Sequence, residues 1–357
     1  MTPPRSAQDA PPLLELTTVS LYGNQAPSTR VRVADWLSHL RVQAEELNHA
    51  ELPNLRPRTV LENLFQVARA EARNVVRARK RRQLLLLSRE ASALSRGRVE
   101  ERYLHSAEHS TYDFDDALFE DGSSAQSRYG RPARWRSSVR AADVVIAGNP
   151  YLADRADQLA RDVRIIPSCV QPGDYQSKSH WRVGSTPVIV WLGSPSTEQY
   201  VEHIATELAH VCSKLGARLR IISGPRTREV PVLAPFVDRY PWSSATVSDL
   251  LSSADVAIAP LSDTPYSRGK CAYKLLQYAA TGLPVVGSPV GANRAALKHF
   301  HGVTVDARDT WAEALRVVLE APDDTRRQMG TTAISAVAKH YSFDAWEGAW
   351  RDAVGLN

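Results

Sequence analysis

Short apolar runs alternate with stretches in which apolar residues recur every three or four positions, and this alternation occurs twice along the chain. In the first series LLELTTVSLY (Leu13 to Tyr22) reads as a strand running into the turn-forming GNQAPST. Val33, Leu37, Leu40, Ala44 and Leu47 then follow at spacings of four and three, which predicts one amphipathic helix. A second helix is predicted from Arg58 to Arg82, a strand from Leu84 to Ser88, a helix from Arg98 to Ser106 and extended chain from Ser110 to Phe114. Glu120 to Pro132, rich in Gly, Ser and charge, reads as a mobile loop. Ala142 to Ala147 is a buried strand, followed by a helix from Pro150 and a strand from Val163 to Pro167.

The apolar period lapses at Gln171 to Pro187 (QPGDYQSKSHWRVGSTP), the best candidate linker. Beyond it a strand is predicted at Val188 to Leu192 and a helix striped by Val201, Ile204, Ala205, Leu208, Val211 and Leu215. A strand at Leu219 to Ser223, a short helix at Val247 to Ser252 and a strand at Val256 to Pro260 come next. A helix starting near Gly269, a strand at Pro284 to Gly287, and helices at Trp311 to Glu320, Asp324 to Lys339 and Phe343 to Val354 close the chain. Runs of Val, Ile and Ala too short for helices, separated by helical segments, mark βαβ units in parallel sheets. The prediction is an α/β protein of two doubly wound, Rossmann-like domains facing across a cleft, at residues 1–175 and 186–335, with 336–357 as a closing helix. Ligands of such sheets bind beyond the carboxyl ends of the strands.

The helix expected from Gly269 carries the candidate chemistry. Lys270, Lys274 and Gln277, four and three residues apart, would share one face, while Ala272, Leu275, Leu276 and Ala279 pack. A helix N-terminus favours anions, and two ammonium groups on its first turns strengthen that preference. The face suits a diphosphate, with Gln277 one turn deeper to meet a sugar hydroxyl. At the end of the strand from Val188, Gly193 would admit phosphate to backbone N–H groups, and Ser194, Ser196 or Thr197 could donate to it. Arg30 and Arg32 add charge after the first strand, and Asp113, Asp115 and Asp116 crowd another strand end. Those carboxylates could bind a metal, receive an amine or a hydroxyl-rich acceptor, or cap the next helix.

The segment RGKCAYKLLQYAATGLPVVGSPVG resembles the nucleotide-sugar motif of the retaining glycosyltransferases of GT-B fold, family 4 or glycosyltransferase group 1. The likeness is strongest from Val188 to Gly291, and the closing YSFDAWEGAW is similar to the family's final helix, which crosses back to the first domain. It implies an acceptor-side first domain and a second domain that binds a nucleotide-diphosphate sugar, with a UDP-sugar the favoured donor. Gly193, Ser194, Arg268, Lys270, Lys274 and Gln277 would hold the donor, Gln277 taking the ribose. Lys270, Lys274 and Arg30 would serve catalysis, and Asp113, Asp115 and Asp116 the acceptor. The implied reaction has the acceptor hydroxyl attack on the face from which the diphosphate leaves, without metal or cofactor. The chain departs from the pattern in three places: Gly269 and Gln277 occupy the usual Glu positions, Tyr112-Asp113 stands at a common His-Asp site, and the Arg and Lys that often follow the glycine of Gly193 are missing. A nucleotide-sugar epimerase of the same fold and a non-catalytic nucleotide-sugar-binding protein are the rival readings.

Composition changes the picture in one place. The 357 residues are 43% hydrophobic and 23% charged, ordinary for a globular protein, with net charge +5. Yet eleven Arg or Lys fall between Arg69 and Arg102, including Arg79-Lys80-Arg81-Arg82. A solvated helix face, or peripheral membrane or phosphorylated-partner contact through Arg77 to Arg82, accounts for this run. Nucleic acid is disfavoured, since no recognition motif accompanies it. The acidic cluster would suit an amino-sugar or aminocyclitol acceptor, the basic run a lipid-phosphate acceptor of the cell envelope. Three widely spaced cysteines argue against a disulfide framework, no apolar leader opens the chain, and a cytoplasmic protein is expected. Zinc spacings, Walker A, G-x-S-x-G and H-E-x-x-H patterns are not found.

Overall fold

A computed structural model of the chain describes residues 15–23, 26–49, 57–120, 130–225 and 229–357. The expected loop from Glu120 to Pro132 lies mostly outside them, as does the start of the first expected strand. Two six-stranded sheets form, and every paired strand in them is parallel. The first contains β1 (Leu16–Ser20), β2 (Ala44–Asn48), β3 (Arg82–Ser88), β4 (Ala107–Phe114), β5 (Val144–Ala147) and β6 (Val163–Ile165) in the order β2-β1-β3-β4-β5-β6. The second contains β7 (Val188–Leu192), β8 (Arg218–Ser223), β9 (Val237–Pro241), β10 (Val256–Ala259), β11 (Val285–Gly287) and β12 (Val303–Thr304) in the order β12-β11-β10-β7-β8-β9. Strand order reverses beside β1 in the first sheet and between β7 and β10 in the second. Each reversal opens a crevice at the strands' carboxyl ends.

Helices cover both faces, so central strands lose their alternation: Leu84, Leu85, Leu86 and Leu87 of β3 are all buried, as are Val256, Ala257, Ile258 and Ala259 of β10. The closing helices tie the halves together. Asp323–His340 packs against Tyr273–Ala280, and Phe343–Val354 returns to the first sheet over β3, β4 and β5. There Trp350 stacks on Trp36 with centroids 5.1 Å apart, and Phe343 meets the same indole edge-on at 4.8 Å. The Gln171 to Pro187 stretch has no strand, but it is pinned: the Lys178 ammonium donates to the Ser252 carbonyl at 2.9 Å and the Trp181 indole to the Gly282 carbonyl at 2.8 Å. Among the described residues no helix is long and apolar enough to cross a membrane.

Four expected helices are redrawn. The one striped by Val201 to Leu215 is two, Gln199–Glu202 and Ala205–Leu215, with Ile204 outside both. Ala44 and Leu47 do not continue the helix through Leu37 and Leu40. Arg41 takes the left-handed conformation (φ 53°), which ends that helix, and the chain then enters β2 at the sheet edge. The helix expected from Arg58 to Arg82 is two, Pro57–Glu62 and Leu64–Arg77, and Arg82 already belongs to β3. The helix expected from Gly269 begins at Tyr273, because Ala272 is left-handed (φ 56°); a separate turn, Pro265–Arg268, precedes it. The helices Arg131–Ala141 and Ala292–His299 and the strands β9 and β12 were not anticipated.

Candidate functional site

The two crevices face each other, and the cavity between them has a volume of about 230 Å³. From the first domain it is lined by Pro27, Ser28 and Val31, which follow β1, and by Asp115 and Asp116, which follow β4. Trp191 and Thr197 at the end of β7, Pro260 and Leu261 after β10, and Lys270 to Leu275 line it from the second.

Lys274 sits on the first turn of Tyr273–Ala280, where backbone N–H groups have no intrahelical acceptor. Its ammonium lies 4.4 Å from the centre of the Trp191 ring and donates to the Thr197 hydroxyl at 3.2 Å. Burial, and then the like charge of Lys270, push its pKa down to about 7. Gly193 is a glycine for a steric reason: a Cβ there would fall 2.5 Å from the Lys274 ammonium and from the Trp191 ring. Lys270 is not on the same helix face, contrary to the sequence expectation. It approaches from the loop ahead of the helix, over the Tyr266 ring at 4.8 Å, with its ammonium 3.6 Å from Asp116 of the opposite domain. Burial is the largest single influence and would lower its pKa, but Asp116, Tyr266, Tyr200 and Asp115 together outweigh that and raise it.

The acidic trio divides. Asp113 does not face the cavity: it is buried and ion-paired with the equally buried Arg32, which also donates to the Ile166 carbonyl at 2.9 Å. It therefore cannot receive an acceptor. Asp115 and Asp116 do reach the cavity and share the Arg89 guanidinium at 3.0 and 2.9 Å, which also donates to Ser28. Burial would raise the Asp116 pKa, yet Arg89 and then Lys270 hold it below the ordinary carboxylate range. Arg89, in the left-handed region at φ 61° just after β3, was not singled out from sequence; an Arg at the end of an apolar run is too common a signal.

Two further donor-side expectations change. Arg268 is half-exposed, pairs with Asp263 at 2.6 Å and does not line the cavity. Ser194 turns its hydroxyl to Ser196 at 3.0 Å, leaving Thr197 as the hydroxyl beside Lys274. Gln277 lies one turn below Lys274 and lines a second chamber of about 430 Å³ that shares Tyr273 with the first. Its amide donates to the Tyr175 hydroxyl at 3.2 Å. Arg30 lines the same chamber from the first domain, its guanidinium 4.8 Å from the centre of the Trp242 ring of the second. Arg30 and Arg32, two residues apart on one helical turn, point to opposite sides of it.

The loop ahead of Tyr273 is clamped to the first domain. Asn149 donates to the carbonyls of Arg268 and Lys270, and the Cys271 thiol to that of Asp115 at 3.2 Å. At Gly269 a Cβ would lie 2.7 Å from the Ala117 backbone nitrogen, so no side chain fits where the motif usually has Glu. One group of possible metal ligands occurs among the described residues, His39, Asp344 and Glu347. Asp344 is mostly exposed and Glu347 pairs with Arg351, as in an ordinary surface ion cluster.

Two doubly wound domains facing across such a cleft constitute the GT-B fold, and comparison with known proteins agrees. Residues 186–321 match the family model described as glycosyl transferases group 1. No curated protein matches the chain by sequence. Among solved structures, HepE of Anabaena in complex with UDP and glucose superposes with TM-score 0.70 at 14% identity, over 96% of this chain and 100% of HepE. A UDP-forming α,α-trehalose-phosphate synthase of Burkholderia vietnamiensis gives 0.65 at 10% identity, over 97% and 99%. TarM of S. aureus gives 0.57 at 10% identity over 76% of this chain, which spans 54% of TarM.

Proposed function

We propose that the chain is a retaining glycosyltransferase that takes a sugar from a UDP-sugar and passes it to an acceptor hydroxyl. The observation that carries this reading is Lys274: an ammonium held against a glycine and an indole, with a neutral hydroxyl as its hydrogen-bond partner, at a helix N-terminus in the crevice of a group 1 domain. Such a site suits an anion, and a leaving diphosphate is one. Lys270 stabilises the same charge from the loop. Gln277 and Arg30 line the adjoining chamber, which has room for the nucleoside. A UDP-linked donor is favoured because HepE holds UDP and glucose and the trehalose-phosphate synthase is UDP-forming.

Asp115 and Asp116 are tied to Arg89 and Lys270, which makes them poor covalent nucleophiles. That supports attack by the acceptor on the face the diphosphate leaves, the departing phosphate oxygen taking the proton. The same pairing makes these carboxylates hydrogen-bond acceptors for sugar-like hydroxyls, and weakens the case for a cationic amino-sugar. No cofactor is required, and the reaction belongs in the cytoplasm, where nucleotide sugars are made.

The test is incubation of the protein with UDP-glucose or UDP-N-acetylglucosamine and a panel of hydroxyl acceptors, read by mass spectrometry and by NMR of the new anomeric centre. A product with the donor's anomeric configuration is expected. Conversion of donor alone into an isomer would instead identify an epimerase. Failure to bind UDP in calorimetry would overturn the reading.

A further inference from the structure

The helix Leu64–Arg77 lies on the outside of the first domain, and its two faces differ sharply. The inner face is fixed: Val67, Ala70 and Asn74 are buried, Asn74 donates to the Ala91 carbonyl at 2.7 Å, and Glu71 accepts from the Ser92 hydroxyl and the backbone of Ala93 and Leu94. The outer face carries large apolar side chains in the open. Phe65 is 81% exposed and Val76 62%, with Leu64 at 56% and Leu61 of the preceding helix at 69%. Phe65, Ala68, Ala72 and Val76 follow spacings of three and four, a single crest along about 17 Å of helix. Exposed Arg69 and Arg73 run beside the crest, and exposed Arg79, Lys80 and Arg81 follow it. Arg82 is not part of this surface: it turns inward to the carbonyls of Lys80 and Arg77 and lies over Tyr103.

We propose that this helix docks the protein on an anionic lipid bilayer, lying in the plane of the interface. The crest enters the headgroup–acyl boundary and the arginines meet lipid phosphates. Exposed singly, any of these apolar residues would be unremarkable; gathered on a basic helix and the end of the short helix before it they form an interaction surface. A protein partner would be met by a groove or a flat patch, whereas this is a convex ridge, the shape a fluid surface can wrap. A nucleic acid would use the arginines and leave Leu61, Leu64 and Val76 without a role. Glu71 already stands level with the loop that follows β3, so the turns that carry Leu64 and Phe65 overhang the carboxyl edge of the first sheet, on the cleft side. A membrane held there would lie next to the acceptor end of the cleft. The docking itself does not depend on sugar transfer, whereas a lipid-borne acceptor rests on that reading.

The experiment is flotation of the full chain with vesicles of phosphatidylcholine alone and of phosphatidylcholine mixed with phosphatidylglycerol. Binding is expected to the anionic vesicles, weakening as salt shortens the Debye length from about 10 Å at 0.1 M to about 3 Å at 1 M. Leu64→Ser with Phe65→Ser should reduce partitioning roughly tenfold or more, since each large apolar side chain buried contributes about that factor. Arg69→Gln with Arg73→Gln should reduce it in phosphatidylglycerol. An unchanged melting temperature and unchanged UDP affinity in both variants would separate loss of docking from loss of fold or of donor binding. Equal affinity for neutral vesicles, or no flotation at all, would overturn the proposal. So would binding that follows the arginines but ignores Leu64 and Phe65, which would point to a soluble polyanion.

Discussion

At the scale of single residues, Lys274 concentrates the chemistry. With a pKa of about 7 it is mostly neutral at pH 8, and a bound diphosphate favours its charged form. UDP binding at pH 8 is therefore expected to take up a proton, visible as a dependence of calorimetric heat on the buffer's ionisation enthalpy. The uptake should fade as pH falls below about 7, where the lysine is already charged. An unfolded lysine titrates near 10.4, so between there and about 7 the unfolded chain holds more protons at this position. The unliganded fold consequently gains stability from this group as pH rises through that window and loses it on the way down. Lys274→Met should abolish the proton uptake and weaken UDP binding by about 1.5–3 kcal/mol, the range for a hydrogen bond to a charged group. Gly269 acts differently, through space rather than charge. Gly269→Ala drives a methyl into the Ala117 backbone of the opposite domain. Its expected signature is a fall in kcat, with misplacement of about 1 Å worth up to roughly a hundredfold, while UDP affinity changes little.

At the scale of elements, the π-helical turn at residues 30–34 and the end of β4 act together. Arg32 points inward to meet Asp113 while Arg30, two residues earlier on the same turn, faces the chamber, so the two charges serve separate ends. Asp113→Asn would leave Arg32 buried with its charge uncompensated, and a loss of about 3–5 kcal/mol in denaturant-unfolding stability is expected. Asp115→Asn and Asp116→Asn should instead leave the fold near wild type and raise the acceptor KM, which steady-state kinetics will read. Sequence alone could not separate the three: alternation along a strand says which residues change sides, but not that an arginine eighty-one positions earlier waits on one of them. The Ala44–Leu47 segment teaches the converse. Spacings of four and three fit a helix, and a left-handed Arg41, which no glycine announced, turned the segment into an edge strand.

At the scale of the whole molecule, the two domains touch around residues 268–271, where Arg30 lies over Trp242, where Gln277 meets Tyr175, and through the returning Phe343–Val354 helix. Positive charge from Lys270, from a helix N-terminus and from Lys274 once a diphosphate is bound faces the cleft, so turnover should persist in EDTA with kcat unchanged. Loss of activity that Mn²⁺ restores would assign a metal to the Asp115–Asp116 side.

The parallel α/β class, the βαβ unit around β10 and β11, and the closing helices Trp311–Glu320 and Phe343–Val354 were all legible in the sequence, because buried strands and amphipathic helices write their burial locally, in composition and period. The placement of Lys274 and Gly193 beside the cavity, and of Gln277 in the adjoining chamber, was legible for a related reason: a helix start and a glycine after a strand are short-range patterns. What tertiary structure alone decided was partnership. Asp113 became a buried counter-ion, Arg268 a surface pair, Lys270 a loop residue facing Asp116, and Arg89 the hub of the acidic cluster. Each outcome is set by which distant side chain lies within about 3 Å, the range over which hydrogen bonds and ion pairs act, and no periodicity along the chain encodes that distance.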